Sequence, residues 1–323
     1  MTRRRDMLLA LLAGVLLPAL SPAADRPFPE RPVRIVVAYP PGGQADSVGR
    51  LLAQKLAEVL GGPVVVDNRP GGNATIGADF VAQAPADGHT LLLGGAANLT
   101  IAPALDSQLR YDTLRDFVAV ARVARVPQLL AVRSGVPVST VAQLVAYAKQ
   151  NPGKLTFAST APANELAIES LKAAEKIDIL SVPYKGTSQA MLDLIAGRLD
   201  LTFADVASLA PHVRSGTLRV IANAGVVRAR EYADVPTMVE QGVPSFVWES
   251  WQGLVAPKAT PAEVVARLQQ ALERVVKSAD YRDGLERLGF VPIDEPPERF
   301  PAVLQEELAR HKALARQLGR QAK

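Results

Sequence analysis

Residues 33–62 read VRIVVAYPPGGQADSVGRLLAQKLAEVLGG and contain a complete strand–turn–helix unit. The first seven residues form an apolar, largely β-branched run, which is typical of a buried strand. Pro40–Gly43 is a turn that neither a strand nor a helix continues through. Asp46 or Ser47 is placed to cap the helix that follows, whose apolar residues fall on one face. The two glycines that end the quoted stretch are predicted to stop this helix.

The same alternation of apolar run, turn and amphipathic stretch recurs along the chain. One set of predicted strands falls within about 33–93 and a second set within about 155–222. This alternation predicts an α/β fold with two sheets whose strands are mostly parallel. We interpret the apolar stretch 117–132 as a strand that crosses from one sheet to the other, and 250–255 as the return.

The N-terminus has the pattern of a secretory signal peptide. Arg3–Arg5 provides a positive segment, residues 7–20 are nearly all apolar, and Ser21-Pro22-Ala23 ends in small residues suited to cleavage after Ala23. A membrane anchor is the alternative, but the apolar run is shorter than the roughly 20 residues that cross a bilayer. We therefore expect residues 1–23 to be removed and the mature chain to be periplasmic.

The composition excludes several classes of function. The formal net charge is +4 over 323 residues, and the basic residues form no cluster of the kind that a nucleic-acid-binding face needs. The chain has no cysteine. His89, His212 and His311 are far apart and match no metal-ligand spacing. No nucleophile–base motif is present, so the sequence indicates no metal, no cofactor and no catalytic site.

The turn after the first strand is the first candidate binding site. In open parallel sheets, ligands lie beyond the carboxyl ends of the strands, where helix N-termini carry partial positive charge. The candidate ligand-binding residues here are Tyr39, Pro41, Gly42, Gly43 and Gln44. The glycines let backbone N–H groups approach an anion closely. A plain tight turn is the alternative interpretation.

A second candidate site follows the strand near residue 155. Ser159, Thr160 and Asn164 provide neutral donors between a strand and a helix, although simple capping of that helix explains them equally well. Other strand ends contribute further candidates that one cleft could collect, and these are Asn73, Ala74, Asn98, Tyr184 and Asp205.

The order of short motifs along the chain resembles a known family. The matching segments are FPERPVRIVV (28–37), YPPGG (39–43) with Asp46, VVDNRPG (65–71) with Ile76-Gly77, ADGHTL (86–91), NPGKL (151–155), VPYKG (182–186), DVPT (234–237), WQGL (251–254) and AP (256–257). Together they cover nearly all of the mature chain. In this order they resemble the substrate-binding receptors of tripartite tricarboxylate transporters, the TctC or Bug family.

This resemblance implies a type II periplasmic-binding-protein fold, with two α/β lobes joined by two crossover strands and a ligand cleft between them. Lobe 1 is expected to comprise 24–125 plus 225–323, and lobe 2 to comprise 126–224. The implied ligand is a small carboxylate, delivered to the large and small integral subunits of a membrane transporter. A ligand sensor that acts on a membrane kinase is the alternative, and a periplasmic enzyme is the less favoured one. We expect a monomer.

One loop departs from the family pattern. The family commonly has a loop rich in Gly and Ser followed by His-Leu-Ala at this point, whereas residues 159–167 read STAPANELA. Glu165 replaces the usual histidine, which predicts a different second-lobe half of the pocket.

Overall fold

A computed structural model of the chain describes residues 28–184, 187–244 and 246–319. The predicted signal peptide, residues 1–23, lies outside the described residues. The strands within the described part are β1 Val33–Val37, β2 Val64–Asn68, β3 Thr90–Gly95, β4 Phe117–Val126, β5 Gln128–Arg133, β6 Thr156–Ser159, β7 Leu180–Pro183, β8 Leu201–Asp205, β9 Leu218–Asn223 and β10 Ser250–Pro257.

The strands form two five-stranded sheets, in the orders β2-β1-β3-β10-β4 and β7-β6-β8-β5-β9. In the first sheet β1 pairs in parallel with β2 and β3, whereas β10 is antiparallel to both of its neighbours. In the second sheet β6 pairs in parallel with β7 and β8, whereas β5 is antiparallel to β8 and β9. Each sheet therefore has one strand that runs antiparallel to the other four. The predicted α/β fold with two lobes is confirmed.

Helices cover both faces of each sheet. They are α1 Gln44–Leu60, α2 Thr75–Ala82, α3 Ala102–Leu105, α4 Thr113–Asp116, α5 Val141–Gln150, α6 Pro162–Glu175, α7 Thr187–Ile195, α8 Val206–Arg214, α9 Ala262–Lys277, α10 Ala279–Arg287 and α11 Phe300–Gln317. On one face of the first sheet, apolar residues of α1 and α9 pack on β1, β3 and β4. On the other face, α2 and α11 contribute to a second apolar cluster. Of the described helices, none combines the length and the apolar character needed to pass through a membrane.

The first crossing between the lobes differs from the prediction of one strand over 117–132. The chain breaks at Pro127, so that β4 belongs to the first sheet and β5 to the second. Proline has no N–H group and cannot continue a hydrogen-bonded ladder. The break therefore falls where the backbone passes from one set of partners to another.

The return crossing also differs from the prediction over 250–255. The whole of β10 pairs within the first sheet, with β3 and β4. The chain returns earlier, between the end of β9 and the start of β10. There the Trp248 N–H donates to the Ala224 carbonyl at 2.7 Å, and the Ala224 N–H donates to the Gln128 carbonyl at 2.8 Å. The two crossings are therefore hydrogen-bonded to each other.

The contact between α2 and β1 gives a test of the first lobe. A Cβ atom on Gly77 would lie 2.8 Å from the Ala38 Cβ and 3.1 Å from the Arg69 carbonyl oxygen. We expect Gly77→Val to lower the free energy of unfolding by about 1–3 kcal/mol, because overpacking forces the helix off the sheet. Urea denaturation measures the change. The control is Gly43→Val, whose Cβ would meet only the Pro40 oxygen at 3.6 Å; an equal loss in both variants would contradict this account.

Candidate functional site

The turn between β1 and α1 forms the first wall of a cleft. Gly42 has φ of +82°, in the left-handed region that glycine adopts without steric cost. Gly43 follows in an extended conformation at the N-cap of α1, and no side chain caps this helix. The first N–H groups of an α-helix have no acceptor within the helix and carry partial positive charge. This turn therefore presents uncapped backbone donors.

Asp46 holds the turn in place. Its Oδ2 accepts hydrogen bonds from the Gly42 N–H at 2.9 Å and from Arg50 Nε at 2.8 Å, and its Oδ1 accepts from Asn68 Nδ2 at 2.9 Å. The bond from Arg50 is the main reason that the pKa of Asp46 falls to about 2. The prediction that Asp46 or Ser47 caps α1 is wrong, because α1 begins before both of them and Asp46 bonds back into the turn.

Beside this turn lies a cavity of about 590 Å³, which we call the first cavity. Its walls are the turn, the start of α1, the end of β3, the first crossing between the lobes and the start of β10. The lining residues are Tyr39, Pro40, Pro41, Gly42, Gly43, Gln44, Ala45, Leu93, Gly94, Gly95, Ala97, Val126, Gln128, Ser250, Trp251 and Gln252. Its polar lining thus consists of amide, hydroxyl, indole and backbone groups, without a charged side chain among the described residues.

Two further cavities continue the cleft between the lobes. The second cavity measures about 290 Å³ and shares Tyr39 and Ala97 with the first. The third measures about 750 Å³ and shares Asn73, Leu105 and other residues with the second. Together the three cavities form one continuous cleft lined by both lobes. Within the described residues, no Lys, Arg or His side chain lines it.

The loop between β6 and α6 forms the wall on the second lobe. Ala161 is the N-cap of α6, and no side chain caps this helix either. Ser159, Thr160 and Ala161 line the third cavity together with Glu165. The Ser181 hydroxyl donates to Glu165 Oε2. The carboxylate that replaces the family's usual histidine therefore borders the cleft.

Nine of the predicted ligand-binding residues line this cleft. Tyr39, Pro41, Gly42, Gly43 and Gln44 border the first cavity, Asn73 borders the second and third, and Ser159, Thr160 and Tyr184 border the third. The Tyr184 hydroxyl donates to Asp193 Oδ2 at 2.6 Å. Contact of these nine residues with a ligand stays a prediction.

Asn98 and Ala74 are hydrogen-bonded to each other, and their contact with a ligand stays a prediction. The Asn98 side chain is fully buried; its Oδ1 accepts from the Gly95 N–H at 2.9 Å and its Nδ2 donates to the Ala74 carbonyl at 3.2 Å. Neither residue lines the three cavities. The Asn98 side chain thus joins the end of β3 to the loop before α2.

Asn164 and Asp205 are likewise engaged within the second lobe. Asn164 Nδ2 donates to the Phe203 carbonyl at 2.7 Å. Asp205 is the N-cap of α8, where it accepts from both the N–H and the hydroxyl of Ser208 at 2.9 Å. Neither lines the cleft. Contact of Asn164 and Asp205 with a ligand stays a prediction.

The side of the cleft that the two crossing segments form was not predicted from the sequence. Gln128, Ser250 and Gln252 all line the first cavity. Their sequence signal is weak, because each is a polar residue within or beside an apolar strand. In β10, however, residues 251–257 are buried, and a glutamine in such a strand indicates either a hydrogen-bonding partner or a ligand.

The side chains of His311 and His89 do not line the cleft. His311 is buried beside Thr100, with Nδ1 3.1 Å from the threonine Oγ1, and burial lowers its pKa to about 3. His89 contacts Phe28 with ring centroids 4.8 Å apart. Across residues 28–184, 187–244 and 246–319, no group of three or more His, Cys, Asp or Glu side chains could hold a metal ion.

The fold and the cleft define the class of the protein. Two α/β lobes, each with one strand against the direction of its sheet, meet at two crossings and enclose a cleft beside them. This is the architecture of a two-lobed solute-binding protein with a type II-like fold, as the solved relatives confirm.

Comparison with known proteins identifies the family. The model of the tripartite tricarboxylate transporter family receptor matches residues 48–320, and the chain belongs to this family. The UPF0065 protein in the tcbD–tcbE intergenic region of Pseudomonas sp. strain P51 is 35% identical over 94% of this chain and 92% of its own length.

Solved structures agree with this assignment. An R. palustris protein solved with adipate has a TM-score of 0.77 and 33% identity, covering 91% of this chain and 99% of its own. The R. palustris protein MatC, solved with bound malate, has a TM-score of 0.73 and 32% identity, covering 89% of this chain and 99% of its own. The resemblance drawn from the motifs is therefore confirmed.

The Asp46 hydrogen bonds give a test that depends on pH. The pKa of about 2 in the folded chain lies below the value of about 3.9 in an unfolded chain. The ionised carboxylate therefore stabilises the fold at neutral pH, and this contribution is lost as pH falls through 4 toward 2. We expect Asp46→Asn to lower the free energy of unfolding by about 1–2 kcal/mol at pH 7, since hydrogen bonds to a charged group are lost.

Urea denaturation of both proteins at several pH values measures the difference, which should shrink as pH falls from 4. Asp280→Asn is the control, because the Asp280 side chain is largely exposed and its ion pair with Lys55 lies at the surface. A difference for Asp46→Asn that stays constant down to pH 2 would show that the carboxylate charge is not its source.

Proposed function

We propose that this chain is a periplasmic receptor that captures a small carboxylate in the cleft between its lobes. The observation that carries the proposal is the pair of helix N-termini at the cleft. Both α1 and α6 begin at it, on opposite lobes, and neither is capped by a side chain. Uncapped helix N-termini bind anions through backbone N–H groups and the helix dipole.

The ligands of the solved relatives support the same class of ligand. Adipate and malate, seen with two R. palustris proteins of this fold, are both small carboxylates. The first cavity, at about 590 Å³, falls within the size range of small-molecule sites. We propose that the ligand carboxylate lies against Gly43, Gln44 and Ala45 in that cavity.

The family supports delivery of the ligand to a membrane transporter. We propose that the receptor is exported by means of residues 1–23, acts as a monomer, and passes its ligand to large and small integral subunits. We also propose that lobe 1 comprises 24–125 and 225–323, and lobe 2 comprises 126–224. In support of the boundary between 125 and 126, β4 ends at Val126 and β5 begins at Gln128.

We further propose that the protein binds its ligand without converting it. The cleft lining supports this, because its side chains are mainly apolar groups, amides and hydroxyls, with Asp106 and Glu165 as carboxylates in the outer cavities. Mass spectrometry of a ligand recovered after prolonged incubation tests it; a changed mass would overturn this part of the proposal.

A thermal-shift screen tests the receptor function directly. A ligand that binds only the folded state raises the melting temperature with its saturation. We expect the mature chain, residues 24–323, to show a dose-dependent rise with at least one small mono-, di- or tricarboxylate. Amides of the same acids are the controls, because they lack the charge that the helix N-termini attract. A panel without any shift, confirmed by calorimetry on refolded protein free of retained ligand, would contradict the proposal.

Gly43→Val tests the placement of the carboxylate. Gly43 is extended, with φ of −83° and ψ of 176°, so valine fits the backbone conformation. Its side chain would cover the N-terminus of α1, and we expect the Kd for the carboxylate to rise at least tenfold, or about 1.4 kcal/mol. Calorimetry measures the Kd. Gly43→Ala should give a smaller rise, and a folded Gly43→Val variant with unchanged Kd would sink the assignment.

A further inference from the structure

Four consecutive residues before α2 have a left-handed backbone, and we call them the strained run. The φ angles are +125° at Gly71, +57° at Gly72, +53° at Asn73 and +71° at Ala74. Glycine adopts such angles without steric cost and asparagine at little cost, whereas the Cβ atom of alanine makes them unfavourable. Among the described residues other than glycine, only Lys176 also has a positive φ, and it is the C-cap of α6, a usual place for this conformation. Ala74 is instead the N-cap of α2, where the backbone is normally extended.

The surroundings of Ala74 fix it in this conformation. Its side chain is only 2% exposed and packs in the apolar cluster to which α2 and α11 contribute. Its carbonyl accepts a hydrogen bond from Asn98 Nδ2 at 3.2 Å. The Thr75 hydroxyl, which donates to the Gly72 carbonyl at 2.6 Å, belongs to the same loop, whereas Asn98 belongs to a different element. Strained backbone persists only where the surrounding structure enforces it, and the Asn98 amide is placed to do so.

Asn98 itself lies in a second uncommon backbone conformation. Residues Ala97–Ile101 form a π-helical turn directly after β3, and such turns are rare and frequently occur at functional sites. The Asn98 side chain is fully buried, and its Oδ1 accepts from the Gly95 N–H at 2.9 Å. An exchange of the amide oxygen and nitrogen would break the bonds to both Gly95 and Ala74. The amide therefore has one orientation that satisfies both of its partners.

Both uncommon segments border the cleft. Gly72 and Asn73 of the strained run line the second cavity, as do Ala97 and Ile101 of the π-helical turn. Asn73 also lines the third cavity, and Ala97 also lines the first. Asn98 lines none of the three. One buried amide thus connects two segments that together border all three cavities.

We infer that Asn98 is a positioning residue, which holds the strained run in the conformation that presents Gly72 and Asn73 to the cleft. Without its hydrogen bond, Ala74 relaxes toward negative φ and this wall of the cleft moves. A wall that is fixed before binding spares the ligand the cost of ordering it. The consequence for binding rests on the proposed receptor function, whereas the holding of the strained run by Asn98 does not.

A substitution at Ala74 measures the strain without a ligand. Glycine removes a buried methyl group, which ordinarily lowers the melting temperature. At a positive φ it also removes the strain, so we expect Ala74→Gly to melt at or above the temperature of the parent chain. Ala78→Gly is the control, because Ala78 is fully buried within α2 and glycine only destabilises a helix interior. An equal drop in both variants would overturn the strain at Ala74.

The Asn98→Ala variant tests whether this amide holds the strained run. In that variant Ala74 has already relaxed, so glycine at this position relieves less strain. We therefore expect the change in melting temperature caused by Ala74→Gly to be less favourable in Asn98→Ala than in the parent chain, which a double-mutant cycle measures. An equal change in both backgrounds would show that the strained run is held without Asn98 and would overturn the assignment.

Calorimetry on the mature chain links the amide to binding. The probes are adipate and malate first, and then every mono-, di- or tricarboxylate that binds the parent chain. At a temperature where the variant is folded, we expect Asn98→Ala to raise the Kd roughly tenfold, the effect of one lost hydrogen bond. Adding Ala74→Gly should restore part of the affinity, because glycine allows the left-handed run without the amide. Thr100→Val is the matched control, since Thr100 is fully buried in the same turn but its hydroxyl donates to the Ala96 carbonyl at 3.0 Å, and its Kd should equal that of the parent.

The remaining outcomes separate the two proposals. A lower melting temperature of Asn98→Ala with an unchanged Kd would leave Asn98 a structural role alone and overturn the inference. An equal rise of the Kd in Thr100→Val would attribute the effect to the whole π-helical turn and overturn it as well. Failure of every carboxylate to bind the parent chain would instead refute the receptor function, while the melting temperatures would still decide whether Asn98 holds the strained run.

Discussion

The hydrogen bonds between the two crossing segments are the constraint on which the cleft depends. Ala224 bridges them, accepting from the Trp248 N–H and donating to the Gln128 carbonyl. An ion pair between Arg125 and Glu249 adds a second link between the end of the first sheet and the return segment. These contacts hold the two crossings side by side between the lobes. The first cavity lies directly against this region, because Val126, Gln128 and Ser250 line it.

The cleft has no cationic side chain among its described lining residues. In the proposed function, the N-termini of α1 and α6 provide the positive potential, with backbone groups that need no side-chain ordering. This arrangement requires that nearby acids be neutralised or held away. Asp46 meets the requirement because Arg50 and Asn68 bond to its carboxylate, and its remaining contact orders the turn that faces the ligand. In this proposal, the affinity for the anion depends on the backbone geometry of the turn before α1 more than on charged side chains.

The sequence was sufficient for the fold class, and nine of the predicted site residues line the cleft. Residues 33–62 contain local signals that tertiary structure does not override: an apolar run, a turn with two prolines and two glycines, and an amphipathic helix. Asn98 shows the limit, because its place after a strand was predicted but its amide is used by Gly95 and Ala74. Which polar side chains remain available depends on partners distant in sequence.

Helix α6 joins the second lobe to the first through an apolar contact. Leu166, in the first turns of α6, is buried in the apolar cluster that α2, α11 and Trp251 form on the first lobe. The loop before α6 lines the outer cavities, and Tyr39 links them to the first. A ligand that spans the cleft therefore adds its contacts to an apolar contact that already joins the lobes.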